Sequence, residues 1–111
     1  MITNSKSLLP QVSVERISVE FIDNLILTGS RMRVDFTYRG DCGYLVKLPP
    51  WSKLRELSWE EKNYELYREA SFELADFLRM RFGVRPDALS LATLRASIHA
   101  ALDAESRAKN G

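Results

Sequence analysis

One cysteine and one histidine stand in a chain of 111 residues. A single thiol excludes an internal disulfide framework and a thiolate metal cluster within one chain. A single imidazole removes most zinc sites and every chemistry that needs a histidine pair. Neither sign of charge dominates, because 16 basic residues face 15 acidic ones for a net charge of +1. That excludes an acidic disordered chain and argues against a globally basic nucleic-acid binder. Long apolar runs are missing too. In the opening MITNSKSLLPQ the longest is Leu8-Leu9, whereas a secretory signal needs roughly 7–15 apolar residues and a membrane span about 20. With the free thiol, this predicts a cytoplasmic protein without a membrane partner. No GxGxxG, P-loop or HExxH pattern occurs, so no cofactor and no metal are predicted.

What is present fits one globular domain over residues 1–111, with 45% hydrophobic and 28% charged residues. Residues 1–11 read as a flexible arm. Residues 12–48 alternate with period two. Ile17, Val19 and Phe21 form one face, with Val12 and Val14 on the opposite parity, so a bulge is expected near Glu15-Arg16. Asp23-Asn24 suits a tight turn, after which Leu25 and Leu27 resume the alternation. Gly29-Ser30 marks a second switch of parity. Met32, Val34, Phe36 and Tyr38 make the clearest alternating run, Gly40-Asp41-Cys42-Gly43 a turn, and Tyr44, Val46 and Leu48 the returning strand, ended by Pro49-Pro50. Trp51 is expected to plug the junction between sheet and helices.

Beyond Ser58 the period becomes helical. Ser58 and Glu61 make a capping box that opens a helix over 58–82, with Gly83 as its left-handed C-cap and Arg79 and Arg81 in its last turn. Val84-Arg85-Pro86 reads as a linker. Asp87 or Ser90 caps a second helix over 87–107, whose apolar stripe is Leu91, Leu94, Ile98, Ala101 and Leu102. Strands followed by helices predict an α+β fold, an antiparallel sheet of three or four strands packed against two C-terminal helices. Leu74 to Leu94 resembles a helix-turn-helix, but Phe82 to Asp87 makes the turn too long and too rigid for that motif.

Nothing assembles a catalytic constellation in sequence. His99 lies beside an apolar helical stripe, and Cys42 has no CxxC partner. Arg39-Gly40-Asp41 spells an adhesion tripeptide, which reads here as ordinary turn chemistry. The chain is therefore expected not to be an enzyme, with a dispersed carboxylate site as the least favoured reading.

Charge falls in blocks. Residues 28–55 hold six bases against two acids, 56–78 seven acids against two bases, and 79–109 six bases against three acids. On a wheel of roughly 100° per residue, Phe72 falls roughly 220° from Trp59, among charges, with Met80 a second stray. A phenylalanine among Glu61, Glu65, Arg68, Asp76 and Arg79 has the anatomy of an interface anchor, unless Leu8 and Leu9 of the arm cover it. The leading expectation is a small non-catalytic interaction module (an inhibitor, immunity or accessory protein) that binds another protein through Phe72, Glu65, Glu69, Asp76 and Met80. The alternative is a nucleic-acid-binding module whose strand face carries Arg31, Arg33 and Arg39, with Arg79, Arg81 and Arg85 in support. Ala92, Ala96, Ala100 and Ala104 recur every fourth residue, which suits a homodimer seam as well as plain helix propensity.

Overall fold

A computed structural model describes residues 9–22, 31–47 and 56–110. Its elements run β1 (Gln11–Val12), β2 (Ile17–Ile22), β3 (Arg31–Tyr38), β4 (Asp41–Lys47), α1 (Trp59–Phe82), β5 (Arg85–Pro86) and α2 (Ala88–Asn110). Strands β2, β3 and β4 form an antiparallel sheet in that order. The architecture is α+β, as the change of period from two to 3.6 predicts. The expected turn at Asp23-Asn24, the alternation at Leu25 and Leu27, the switch at Gly29-Ser30, the stop at Pro49-Pro50 and Trp51 all lie outside the described residues.

Alternation on β3 converts directly into burial. Met32, Val34 and Phe36 are enclosed, and Ile17, Val19 and Phe21 on β2 pack beside them. Register pairs Val19 with Val34 and Phe21 with Met32, so the odd positions of β2 and the even positions of β3 turn together toward the helices. Helix α2 runs along β2, and α1 lies against α2. Their contribution to the core is Leu66, Ala70, Leu74 and Leu78 from α1, and Leu94, Ile98 and Leu102 from α2, at helical spacing. Phe36 meets Phe77 edge to face at 5.4 Å, and Tyr38 meets Phe82 at 5.0 Å, tying the sheet to the end of α1.

The β3–β4 turn is tighter than expected. Arg39 (φ 53°) and Gly40 (φ 89°) alone make it, and Asp41 already pairs with Tyr38. Two consecutive positive φ values define the type I′ geometry whose twist matches the flanking strands. Asp41, Cys42 and Gly43 therefore belong to a strand, not to a turn. The β3–β4 register shifts between Val34 and Thr37, which places a bulge there.

Helix α1 begins as its sequence dictates. The Ser58 hydroxyl accepts from the Glu61 N–H at 3.1 Å, and the Glu61 carboxylate accepts from the Ser58 N–H at 2.9 Å. These backbone and side-chain bonds to Ser58 hold the Glu61 carboxyl below its ordinary pKa. The helix ends at Gly83, whose φ of 68° is left-handed and whose N–H bonds to the Arg79 carbonyl at 3.0 Å.

Arg85-Pro86 is more than a linker. It pairs in parallel with Gln11-Val12, with the Arg85 N–H bonding to the Pro10 carbonyl and the Asp87 N–H to the Val12 carbonyl, both at 2.9 Å. The last residues of the N-terminal arm are thereby joined to the connection between the helices. Asp87 is the N-cap of α2, accepting from the Ser90 N–H at 2.8 Å. Ser90 takes a different role, its hydroxyl accepting from the Val14 N–H.

Candidate functional site

The outer face of α1 follows from where its core stripe lies. With Leu66, Ala70, Leu74 and Leu78 turned inward, the opposite side of the helix meets solvent. Phe72 is 72% exposed there and Met80 71% exposed. A lone exposed apolar residue is unremarkable. Phe72 and Met80 share the solvent side of α1 with Glu65, Glu69 and Asp76 and with Arg68 and Arg79. Leu9 leaves Phe72 exposed, its carbonyl accepting from Arg85 Nε at 3.1 Å, and Leu8 lies outside the described residues.

The acidic rim is partly neutralised within the helix. Arg68 reaches Glu65 at 3.5 Å, and Arg79 reaches Asp76 at 2.6 Å. Exposed pairs of this kind contribute about 0–1 kcal/mol and exchange readily with an incoming partner's charges. Leu89 at the start of α2 is also 70% exposed, a residue that the wheel of α1 could not flag.

Of the three arginines expected on one strand face, the structure describes the side chains of Arg33 and Arg39. Arg33 is exposed on β3 but is held by both Asp35 oxygens at 3.1 Å, and Glu20 lies opposite it in register. Arg39 sits in the type I′ turn and not on the strand face, with its guanidinium 6.0 Å from the Tyr38 ring. Arg81 lies 5.2 Å from the Phe77 ring, Arg79 pairs with Asp76, and Arg85 donates to Leu9. The side chain of Arg31 lies outside what the structure describes. Parity gives Arg31 and Arg33 one strand face, but it reports neither the turn that takes Arg39 off that face nor the acids beside Arg33.

A cleft forms on the far side of α1, between its first turns and α2. It is an open groove of about 630 Å³, lined by Trp59, Glu60 and Asn63 from α1 and by Ala92, Arg95, Ala96 and His99 from α2. Two of the four alanines in the α2 row thus form its floor, and all four are exposed. Trp59 and His99 meet edge to face at 4.4 Å, and Arg95 lies 5.5 Å from the Tyr67 ring. Asn63 is only 6% exposed, and its Nδ2 has no acceptor among the described residues. The sequence carries a signal for it: Asn63 occupies a core position of the stripe Trp59, Asn63, Leu66, Ala70, where an amide breaks the apolar pattern.

Among the described residues, no group of three or more His, Cys, Asp or Glu side chains could hold a metal, and no helix is long and apolar enough to cross a membrane. No known protein family matches the chain, and no curated protein or solved structure matches it significantly.

Proposed function

We propose that this chain is a small non-catalytic interaction module of the cytoplasm, an inhibitor, immunity or accessory protein, that binds a basic partner protein through the outer face of α1. The observation that carries this reading is Phe72, 72% exposed beside Glu65, Glu69 and Asp76. An exposed aromatic is inexpensive to dock, because a phenyl ring loses few rotamers and removes much apolar area from water. The acids select the partner, which must present an apolar pocket rimmed by lysine or arginine. Met80 extends the apolar centre with an adaptable side chain.

The arginine set supports a nucleic-acid module less well, because acids share its strand face: Asp35 pairs with Arg33, and Glu20 lies opposite Arg33 in register. The alanine row alone does not carry self-association, since alanine is also the best helix former.

Copurification from the native host, followed by affinity measurement on the partner found, tests the reading. Phe72→Ala weakens binding at least about tenfold if Phe72 is an anchor, with an unchanged melting temperature because the ring is exposed. Affinity that survives the substitution overturns the assignment, as does a partner whose contact surface is acidic.

A further inference from the structure

Strand β2 ends the three-stranded sheet, and among the described residues no strand pairs with its outer side. The Thr37 N–H bonds to the Arg16 carbonyl, so the even positions of β2 turn their backbone groups toward β3. Ile17 and Val19 therefore turn theirs to the open edge. The Ile17 carbonyl meets the Ser97 hydroxyl there only at 3.5 Å and keeps a second lone pair. An open edge of this kind is a template for another strand.

We propose that the strand it takes is β2 of a second copy of this chain, antiparallel, with the two-fold axis at Ser18. Charge chooses both the partner and the register. Arg16 and Glu20 are exposed, and neither has an ion pair among the described residues. With the axis at Ser18, Arg16 of each copy lies opposite Glu20 of the other, so one complementary pair forms twice. Ile17 lies opposite Val19, and each such pair exchanges both backbone hydrogen bonds. An axis at Val19 sets Arg16 against Ile22 and Ser18 against Glu20, without any opposite charges. An axis at Glu20 sets that carboxylate against itself, which is repulsive.

The helix beside the edge suits the same arrangement. Val19, Glu20 and Phe21 line an open groove with Ala101 and Ala104 of α2. Joining the copies makes one continuous sheet of six strands, three from each. The two α2 helices then lie side by side on one face of it, and methyl side chains at Ala101 and Ala104 let them approach. The alanines do not select the partner; the edge and its charges do. Phe72 lies on α1 and takes no part, so this interface stands or falls apart from the proposed docking face.

Sedimentation equilibrium of the full chain tests this. The expected mass is twice the 12.7 kDa of one copy, with a dissociation constant at or below about 100 µM. Arg16→Glu and Glu20→Arg each set like charges opposite one another and weaken dimerisation at least about tenfold. The two substitutions in one chain restore opposite pairs with the signs exchanged, and dimerisation returns to within about threefold of the parent. Val19→Pro removes an N–H that points away from β3, a position where an edge strand tolerates proline, and leaves a single copy. Only variants whose circular dichroism matches the parent are read. Glu20 also lies opposite Arg33 on β3, so where Glu20→Arg disturbs the sheet, Arg16→Glu and Val19→Pro carry the test. The proposal is overturned by a single-copy mass at about 1 mM chain, by a dimer that Arg16→Glu and Val19→Pro leave unweakened, or by a folded double variant that stays monomeric. The first result gives the edge to another segment of this chain or to a different protein's strand. The second places the contact on another face, such as the alanine row of α2.

Discussion

The Ser90 hydroxyl accepts a hydrogen bond from the Val14 backbone N–H at 2.9 Å, joining residues 76 positions apart. Val14 is 8% exposed and Ser90 3%, so water has little access to either group. Ser90→Ala leaves a buried N–H without a partner, and such an orphan costs about 1–3 kcal/mol. Urea denaturation should show a lower midpoint with an unchanged slope. A variant as stable as the parent would mean that this bond does not tie the N-terminal segment to α2.

Asp87 makes the same junction sensitive to acid. Its carboxylate accepts from the Ser13 hydroxyl at 2.5 Å and from the Ser90 N–H at 2.8 Å. The Ser13 bond, then the Ser90 bonds, hold its pKa below the ordinary aspartate value. A depressed pKa in the folded chain contributes stability that is fully present above the unfolded value and is lost as pH falls through the folded value. Stability should therefore decline on the acid side of the ordinary aspartate range. Asp87→Asn keeps a capping oxygen but cannot titrate, so its stability changes less over that window. Glu61, lowered in the same direction by Ser58, leaves a residual dependence that Glu61→Gln removes. Urea midpoints measured across acidic pH check both; parallel curves for parent and Asp87→Asn would contradict the assignment.

The parts of this fold that were legible in sequence are those governed by local physics. Met32, Val34 and Phe36 announce a strand because a pleated chain sends alternate side chains to one face. Ser58, Glu61 and Gly83 announce the limits of α1 because orphan amides and a left-handed residue need particular side chains. The pairing of Gln11-Val12 with Arg85-Pro86 was hidden, since two residues carry no period and the partners are 74 positions apart. The exposure of Phe72 was readable from the wheel. The cleft was not, because its two walls come from different helices and the wheel treats each alone. Its only local trace is Asn63 in an apolar stripe.

Arg39 offers a test in the direction of added stability. Its φ of 53° places an arginine in the left-handed region, which costs about 1–2 kcal/mol for an L-residue with a full side chain. Its contact with Tyr38, at 6.0 Å and exposed, returns about 0.5 kcal/mol. The backbone effect is the larger, and asparagine tolerates this geometry far better at the first position of a type I′ turn. Arg39→Asn should raise the melting temperature by about 2–4 °C, the rise that roughly 0.5 kcal/mol produces in a domain of this size. A fall instead would show that the guanidinium contributes more at the hairpin tip than its ring contact.

The proposed docking face makes a kinetic prediction that separates its two components. On the proposed reading, Glu65, Glu69 and Asp76 would act at a distance, by attracting a basic partner before contact, whereas Phe72 would act only after its ring enters a pocket. Long-range attraction governs the association rate and is screened by salt over about 8–10 Å near physiological ionic strength. Short-range burial governs how long the complex lasts. Glu69→Gln combined with Glu65→Gln should therefore slow association and flatten its dependence on salt, with little change in the dissociation rate. Phe72→Ala should do the reverse, raising the dissociation rate at least about tenfold while association and its salt dependence stay near the parent values. Surface plasmon resonance at several salt concentrations resolves the two. If both variants altered only the association rate, Phe72 would lie outside the contact, and the 72% exposure of its ring would be an ordinary feature of a solvated helix.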